Sequence, residues 1–267
     1  MPYTLHKKLC FTSIMPPNLT PHSGIIFLYN KNEDLLKKQK IEDAAYYYFA
    51  KEIKKLKLSA FFYNLQTSNL YPTSLERQGF IIEKRITYKI SLVQENILKT
   101  FSSRRRSQIN KAAKYIKISV CRLPLKEIYS LFSQTFIKKN ISIPYSEYYF
   151  TKLVSCVRSH KQGEVFQAVD NENNINAIIF VIWDNNICYF IASATIDEYK
   201  KNNALALLHY KIMLKMQNKN VQYYDFEGSM IPSIAEYFST FGTKTYEYYS
   251  LTKYYNPIYK LVRKLRH

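Results

Sequence analysis

The chain has 267 residues, of which 39 are Lys or Arg and 20 are Asp or Glu, so its formal net charge is +19. Such a chain is long enough for one large core or two smaller ones, and its positive field favours nucleic acids, nucleotide-linked groups and anionic lipid surfaces as partners. The five glycines are too dispersed to form a GxGxxG or GxxxxGK[ST] loop, which excludes the dinucleotide-binding and P-loop classes.

The first half of the chain alternates short strands with helices. Apolar runs predict strands over residues 9–15, 24–29 and 59–64, with two strand-like segments between residues 80 and 92. Helical spacing predicts helices over residues 37–56 and 71–78. We interpret residues 1–98 as an abbreviated N-terminal lobe.

A basic helix begins the second half, where residues 101–117 read FSSRRRSQINKAAKYIK and Ser103 is the predicted N-cap. Three arginines at a helix N-terminus oppose the helix dipole, an unfavourable arrangement that a bound polyanion would relieve. The alternative is a solvated basic face without a partner. The basic residues that we assign to donor binding are Arg104, Arg105, Arg106, Lys111 and Lys114.

The rest of the second half keeps a regular order of elements. We predict a strand at 118–123, helices at 125–139 and 146–161, and a meander of strands at 164–170, 175–184 and 186–194. A helix at 203–217, a strand at 222–226, a helix at 232–241 and a strand at 245–252 follow. This is the element order of the GNAT acyltransferase fold, and we assign residues 99–253 to a C-terminal lobe.

The cysteines and the hydropathy give mainly exclusions. Cys10, Cys121, Cys156 and Cys188 are widely scattered, so no zinc site or other metal centre is expected. Residues 1–8 are polar and no run approaches about 18 apolar residues, so we expect neither a signal peptide nor a membrane span. A reducing, cytoplasmic location fits these features best.

Several motifs resemble those of the Fem-type peptidoglycan bridge aminoacyltransferases, which are tandem GNAT-like proteins. The segment YYDFEGS at 223–229 is similar to the Tyr-Asp-hydrophobic-x-Gly strand end of that family. The basic helix, residues 191–210, and residues 71–80 with 85–92 resemble further pieces in the family's order. The resemblance covers about residues 9–255 and implies an α/β fold with a mixed sheet and two tandem GNAT-like lobes, the first abbreviated.

The resemblance also implies a reaction. Fem-type enzymes transfer an aminoacyl group from aminoacyl-tRNA to an amine of a peptidoglycan precursor, and no cofactor is needed. Asp225, at the carboxyl end of a strand, is our candidate for orienting or deprotonating the amine, with Glu227 second. Tyr224, Gly228 and Ser229 are candidate acceptor or cleft residues. The alternative for Asp225 is a helix cap or a buried hydrogen bond.

The donor loop separates two classes of acyl donor. Enzymes that use coenzyme A place an [RQ]xxGx[GA] loop before the donor helix, whereas this chain has Lys200, Lys201, Asn202 and Asn203 and no glycine there. We therefore expect aminoacyl-tRNA as the donor. An acyl-CoA-dependent N-acyltransferase with a degenerate loop is the alternative enzyme. Because the first lobe lacks its opening strand and helix, an inactive module that binds envelope precursors is the non-enzymatic alternative.

The tail forms a third region, residues 254–267, with apolar residues on one helical stripe and basic residues around them. Two interpretations stay open: docking on the first lobe, and peripheral contact with an anionic membrane that carries a lipid-linked acceptor.

Overall fold

The computed structural model describes residues 2–20, 22–30, 32–138, 140–228 and 230–265. The chain forms two compact units. Unit 1 contains Met1–Ile86 and Tyr246–His267, and unit 2 is Thr87–Thr245. The division between Ile86 and Thr87 falls within a strand, and the tail residues group with the N-terminal segment.

Unit 1 contains the elements β1 (Thr4–Lys8), β2 (Phe11–Met15), α1 (Leu35–Lys55), β3 (Ala60–Asn64), α2 (Thr73–Arg77), the start of β4 (Ile81–Ser91), most of β10 (Lys244–Tyr254) and α8 (Pro257–Lys264). Its strands have the order β1-β2-β3-β10, with β2 and β3 parallel and the other neighbours antiparallel. Helix α1 connects β2 to β3 and buries Glu42, Tyr46, Ala50 and Ile53, which the helical repeat places on one face.

One strand prediction in unit 1 is confirmed with a later start, and another is wrong. The strand predicted at 9–15 is β2, which begins at Phe11 because Leu9 adopts a left-handed conformation (φ 54°) in the turn that follows β1. The segment predicted as a strand at 24–29 is irregular. Its apolar residues alternate between exposed Ile26 and Leu28 and a packed Phe27, whose ring lies 5.7 Å from that of Tyr46. Exposed and packed side chains therefore do alternate along this segment, but it packs on α1 as a loop and not as a strand.

Unit 2 contains the second part of β4 and the elements α3 (Ser103–Ala112), β5 (Lys117–Val120), α4 (Leu125–Ile137), α5 (Glu147–Ser159), β6 (Gly163–Val169), β7 (Ile175–Trp183), β8 (Ile187–Thr195), α6 (Ala204–Gln217), β9 (Tyr223–Asp225) and α7 (Pro232–Ser239). Its strands have the order β4-β9-β8-β7-β6-β5, in which β8 and β9 are parallel and the other neighbours antiparallel. The strands predicted at 222–226 and 186–194 are thus β9 and β8, which pair with each other.

Helices cover both faces of this sheet. Alternate residues of β7 show the two layers: Ile179 and Val181 belong to the core around α6, whereas Phe180 packs its ring 5.9 Å from that of Phe150 in α5. Because both faces are covered, β7 is apolar at nearly every position instead of alternating. Among the described residues, none of the helices combines the length and apolar character needed to cross a membrane.

Candidate functional site

The candidate site lies where β8 and β9 separate. Their parallel pairing runs from Ile187 opposite Tyr223 to Tyr189 opposite Asp225, whereas β8 continues to Thr195. After Asp225, the next backbone amide, that of Phe226, donates to the carbonyl of Tyr88 in β4 at 2.8 Å. The chain beyond β9 therefore follows β4 rather than β8. The carboxyl end of a parallel strand is thereby freed from one neighbour, and such ends are where open α/β sheets place ligands.

Asp225 is buried at this point and held by β4. Its side chain has 0% exposure, and Oδ1 accepts hydrogen bonds from the Thr87 hydroxyl (2.5 Å) and from the backbone amide of Glu227 (2.8 Å). The ammonium of Lys89, itself 7% exposed, lies 3.6 Å from Oδ2. Burial raises the pKa of Asp225, and Lys89 and the hydrogen bonds oppose that shift. The carboxylate is thus charge-compensated inside the sheet.

Glu227 occupies the turn that follows β9. Its backbone is left-handed (φ 59°), and its Oε1 atom is buried with no hydrogen-bond partner among the described residues. Burial, and then the negative charge of Asp225, raises the pKa of Glu227 well above its ordinary value. Such a carboxyl group holds its proton more tightly than an exposed glutamate, and in its ionised form it is a stronger proton acceptor.

Tyr189 completes this face of the sheet, since the register places it beside Asp225. Burial raises the pKa of its hydroxyl, and the nearby carboxylates Asp184, Asp225 and Glu227 add to the shift. The hydroxyl therefore stays protonated and can donate a hydrogen bond. The carboxyl pair, Lys89, Thr87 and Tyr189 form one polar group, which we call the β9 cluster.

Tyr224 lies in the core instead of a cleft with Asp225, because neighbouring residues of a strand point to opposite faces. It is fully buried, and its hydroxyl forms a 2.9 Å hydrogen bond with Nδ1 of His209 in α6. Burial, and then the charge of Arg105, lowers the pKa of His209 to about 3, so this imidazole is neutral. His209 therefore packs in the core as a neutral side chain. Gly228 is exposed beyond the turn, and Ser229 lies outside the described residues.

The donor loop is a 3-10 helix, Asp197–Asn202, followed by Asn203 in a left-handed conformation (φ 56°, ψ 22°). Lys200 and Lys201 are exposed. Two hydrogen bonds hold Asn202 in place. Its side-chain amide donates to Asn176 Oδ1 at 2.8 Å, and its backbone carbonyl accepts from the Tyr115 hydroxyl. Asn203 donates to the carbonyl of Lys201 and does not cap α6 with its side chain.

Asp197 ties the donor loop to the end of α4. Its carboxylate contacts the ammonium groups of Lys138 and Lys200, each at 2.5 Å. These two lysines lower the pKa of Asp197 to about 2. Part of the positive charge of Lys200 is therefore balanced within the loop, and Lys201 is the less compensated of the two lysines.

The basic helix divides into structural and surface arginines. The Arg105 guanidinium is buried over the rings of Tyr237 (4.5 Å) and Phe241 (4.8 Å), and it donates to Thr240 and Gln108. Arg106 donates to the backbone carbonyls of Phe101 and Lys99. These two arginines therefore bind the protein's own chain, and the N-cap is Ser102 rather than Ser103.

The exposed basic residues of α3 and its C-terminal extension are Arg104, Lys111 and Lys114. Beyond them, a groove of about 480 Å³ runs between the end of α3, β5 and α6. The lysines in its lining are Lys117, Lys211 and Lys215, and the ammonium of Lys215 lies 4.9 Å from the ring centre of Phe166. The structure thus adds Lys211 and Lys215 to the basic surface that the sequence indicated on α3.

The described residues contain no group of three or more His, Cys, Asp or Glu side chains arranged to hold a metal ion. The polar groups available for chemistry are those of the β9 cluster and the lysines and amides of the donor loop.

The fold defined by these elements is that of the tandem GNAT-like acyltransferases, and it is of the Fem type. No protein-family model matches the sequence, and no curated protein matches it. The solved structure of FemX is similar with a TM-score of 0.71 and 15% identity, over 97% of this chain and 85% of that one.

Two other solved structures are similar at lower TM-scores. One is the C-terminal domain of a protein from Agrobacterium fabrum named as a lysylphosphatidylglycerol synthetase, with a TM-score of 0.53 and 10% identity over 79% of this chain and 72% of that one. The other is a tandem GNAT protein from the clavulanic acid biosynthesis pathway, with a TM-score of 0.52 and 10% identity over 92% and 76%. At this level of identity the similarities define the fold.

The raised pKa of Glu227 predicts a specific dependence of stability on pH. Below the ordinary carboxyl pKa, Glu227 is protonated in both the folded and the unfolded state. As the pH rises, Glu227 ionises first in the unfolded state, so the free energy of unfolding falls until Glu227 also ionises in the folded state. Between about pH 5 and pH 8, the wild type should therefore lose more stability than Glu227→Gln, as measured by urea unfolding. The matched control is Glu236→Gln at an exposed carboxyl, which should follow the wild type. Parallel curves for wild type and Glu227→Gln would contradict the assignment.

Proposed function

We propose that this protein transfers an activated acyl or aminoacyl group to an amine of a cell-envelope precursor. The observation that carries the proposal is the pairing of buried Asp225 with half-buried Glu227, whose Oε1 atom is buried, at the point where β8 and β9 separate within a Fem-like tandem GNAT fold. The names of two similar structures, FemX and a lysylphosphatidylglycerol synthetase domain, support an envelope acceptor.

The chemistry that we propose is aminolysis of an ester. The amine nitrogen of the acceptor attacks the ester carbonyl carbon of the donor, a C–N bond forms, and the ester C–O bond breaks. The Glu227 carboxylate takes the proton from the attacking amine and returns it to the departing donor oxygen, which regenerates the carboxylate. Asp225 has a positioning role, because it accepts a hydrogen bond from the Glu227 backbone amide and thereby fixes the turn that carries Glu227. Holding both reactants in place supplies much of the rate.

The donor that we propose is aminoacyl-tRNA, which locates the reaction in the cytoplasm. Two observations support it. Arg104, Lys111 and Lys114 form an exposed basic face on α3, and the neighbouring groove adds lysines from β5 and α6. Such surfaces attract RNA phosphates without reading sequence. In the donor loop, Lys200 is partly balanced by Asp197, and the loop lacks the glycine amides that cradle a compact pyrophosphate.

A second candidate donor is acyl-CoA, since one similar structure is a tandem GNAT protein whose name refers to AcCoA. The left-handed conformation of Asn203 at the start of α6 is the backbone feature that favours it, because glycine-like geometry is already present at that position.

A transfer assay tests the proposal directly. Purified protein is incubated with tRNA charged with labelled amino acids and with soluble or lipid-linked muropeptide, and label in the acceptor is measured. Glu227→Gln should lower kcat about 100-fold or more, the usual range for loss of a general acid–base group. Glu236→Gln is the control and should leave the rate unchanged. Precursor binding without any transfer would support the inactive module instead, and an unaltered rate for Glu227→Gln would exclude its proton-transfer role.

The salt dependence of tRNA binding tests the basic face. If Arg104, Lys111 and Lys114 each contact a phosphate, replacing all three by Ala should reduce the slope of log K against log salt by about 2 to 3. The control removes the same charge from exposed positions of α1, as Lys40, Lys51 and Lys54 to Ala. Measurements by filter binding between about 50 and 200 mM salt are sufficient. Equal slopes for the two triple variants would remove the α3 face from the interface.

Calorimetry with acetyl-CoA and longer acyl-CoAs distinguishes the donors. In the donor loop, side chains from Asn202 and Asn203 occupy space that glycine would leave open, so we expect a Kd of about 1 mM or weaker. The comparison variant is Lys201→Gln, which should change little if no pyrophosphate binds there. Low-micromolar binding that Lys201→Gln weakens would favour acyl-CoA as the donor.

A further inference from the structure

Helix α8 is docked on unit 1 by one side only. Asn256 caps it by accepting from the amides of Ile258 and Tyr259. The Tyr259 ring packs 5.3 Å from that of Phe11 in β2, and the Arg263 guanidinium lies 4.1 Å from the ring centre of Phe62 in β3. Tyr259 and Arg263 are four residues apart, so they mark a single docked face. Docking of the tail on the N-terminal part of the protein was one of the two interpretations left open by the sequence, and α8 shows it on this side.

The opposite side of α8 is apolar and exposed. Ile258, Leu261 and Leu265 are 62%, 60% and 80% exposed, and the helical repeat aligns them in a narrow stripe. A short helix at the surface usually turns such a stripe inward, since each buried leucine stabilises the fold. Here Tyr259 and Arg263 pack against the sheet instead, while the leucines face solvent.

The turn of the β1–β2 hairpin extends this apolar stripe. Leu9 is 92% exposed in that turn, and it lines a cleft of about 400 Å³ together with Val262 and Arg263 of α8. The hairpin tip and the helix therefore border the same depression. Val262 is 37% exposed and lies one helical turn after Ile258, so it connects the cleft that Leu9 lines to the apolar stripe of α8. Contiguous exposed apolar patches of this kind mark interaction sites.

The charge around the patch has one sign. Segments 2–15 and 253–265 contain no Asp or Glu. Exposed lysines flank the apolar residues on both elements: Lys7 and Lys8 precede Leu9, and Lys260 and Lys264 lie beside the stripe. A protein partner complementary to this patch would need an acidic rim around an apolar centre, whereas an anionic bilayer offers a negative surface over an apolar interior without specific geometry.

We propose that this patch, formed by Leu9, Ile258, Leu261 and Leu265 with their flanking lysines, lies on an anionic lipid bilayer. The leucines enter the headgroup region, the lysines contact lipid phosphates, and α8 lies parallel to the surface with its docked face toward the protein. The contact is independent of the transfer chemistry, because it involves unit 1 residues outside the β9 cluster.

Vesicle binding by the full chain tests this proposal without any activity measurement. Sedimentation with vesicles of about 30% phosphatidylglycerol in phosphatidylcholine should show binding that pure phosphatidylcholine vesicles do not reproduce. The variant Leu261→Gln with Leu265→Gln keeps helix propensity and should weaken binding at least about tenfold. Ile137→Gln, at an equally exposed (62%) position of α4, should weaken it less than about twofold.

A second variant tests the electrostatic part and leaves the apolar stripe intact. Lys260→Gln with Lys264→Gln should also weaken binding to the anionic vesicles and reduce its dependence on salt. Equal thermal unfolding midpoints establish that both double variants are folded. Unchanged binding by the leucine variant, or equal binding to neutral and anionic vesicles, would overturn the proposal. So would a concentration-dependent dimer in sedimentation velocity that the leucine variant abolishes, because a second copy would then cover the patch.

Discussion

The side chain of Asp225 has no contact with water, and its charge is balanced inside the sheet by Lys89 and by two hydrogen-bond donors. Removing one partner of such a buried pair typically costs about 3–5 kcal/mol, because the other charge remains uncompensated. The pair therefore constrains the register of β4 against β9. It also constrains the following turn, since the Glu227 amide is one of the two donors. The position of the candidate proton acceptor thus depends on the same ion pair that joins the strands.

The two faces of β9 differ in polarity. On one face, Tyr224 and His209 form a buried hydrogen bond within the aromatic core around α6, and the low pKa of His209 keeps this pair neutral. On the other face, the β9 cluster gathers charged and titratable groups. A strand of three residues can present both environments because successive side chains alternate. The short length of β9 also allows β8 to diverge from it and open the end of the sheet.

Much of the fold was predictable because its periodicities are strong. The meander of β6, β7 and β8 and the helix α6 followed from apolar spacing and Asn- or Asp-rich turns. Lys89 and Thr87 were missed as site residues, although the alternation over residues 86–92 placed them together on the polar face of a strand. A sequence shows that such a face is polar, but only the neighbouring strand decides whether it meets solvent or a buried carboxylate. The same limit applies to Arg105, whose aromatic partners come from α7, distant in sequence.

The chain order of the two units constrains how the protein is made. Unit 1 is interrupted in sequence by the whole of unit 2, and its sheet receives β10 only after residues 87–245 have been synthesised. On the ribosome, the N-terminal strands must wait for a partner strand while the intervening unit is completed, and chains commonly fold such continuous units first. During this interval the edge of β3 that later pairs with β10 is open, a state that favours association with other strands. Chaperone binding during synthesis would therefore be concentrated on the N-terminal segment rather than on unit 2.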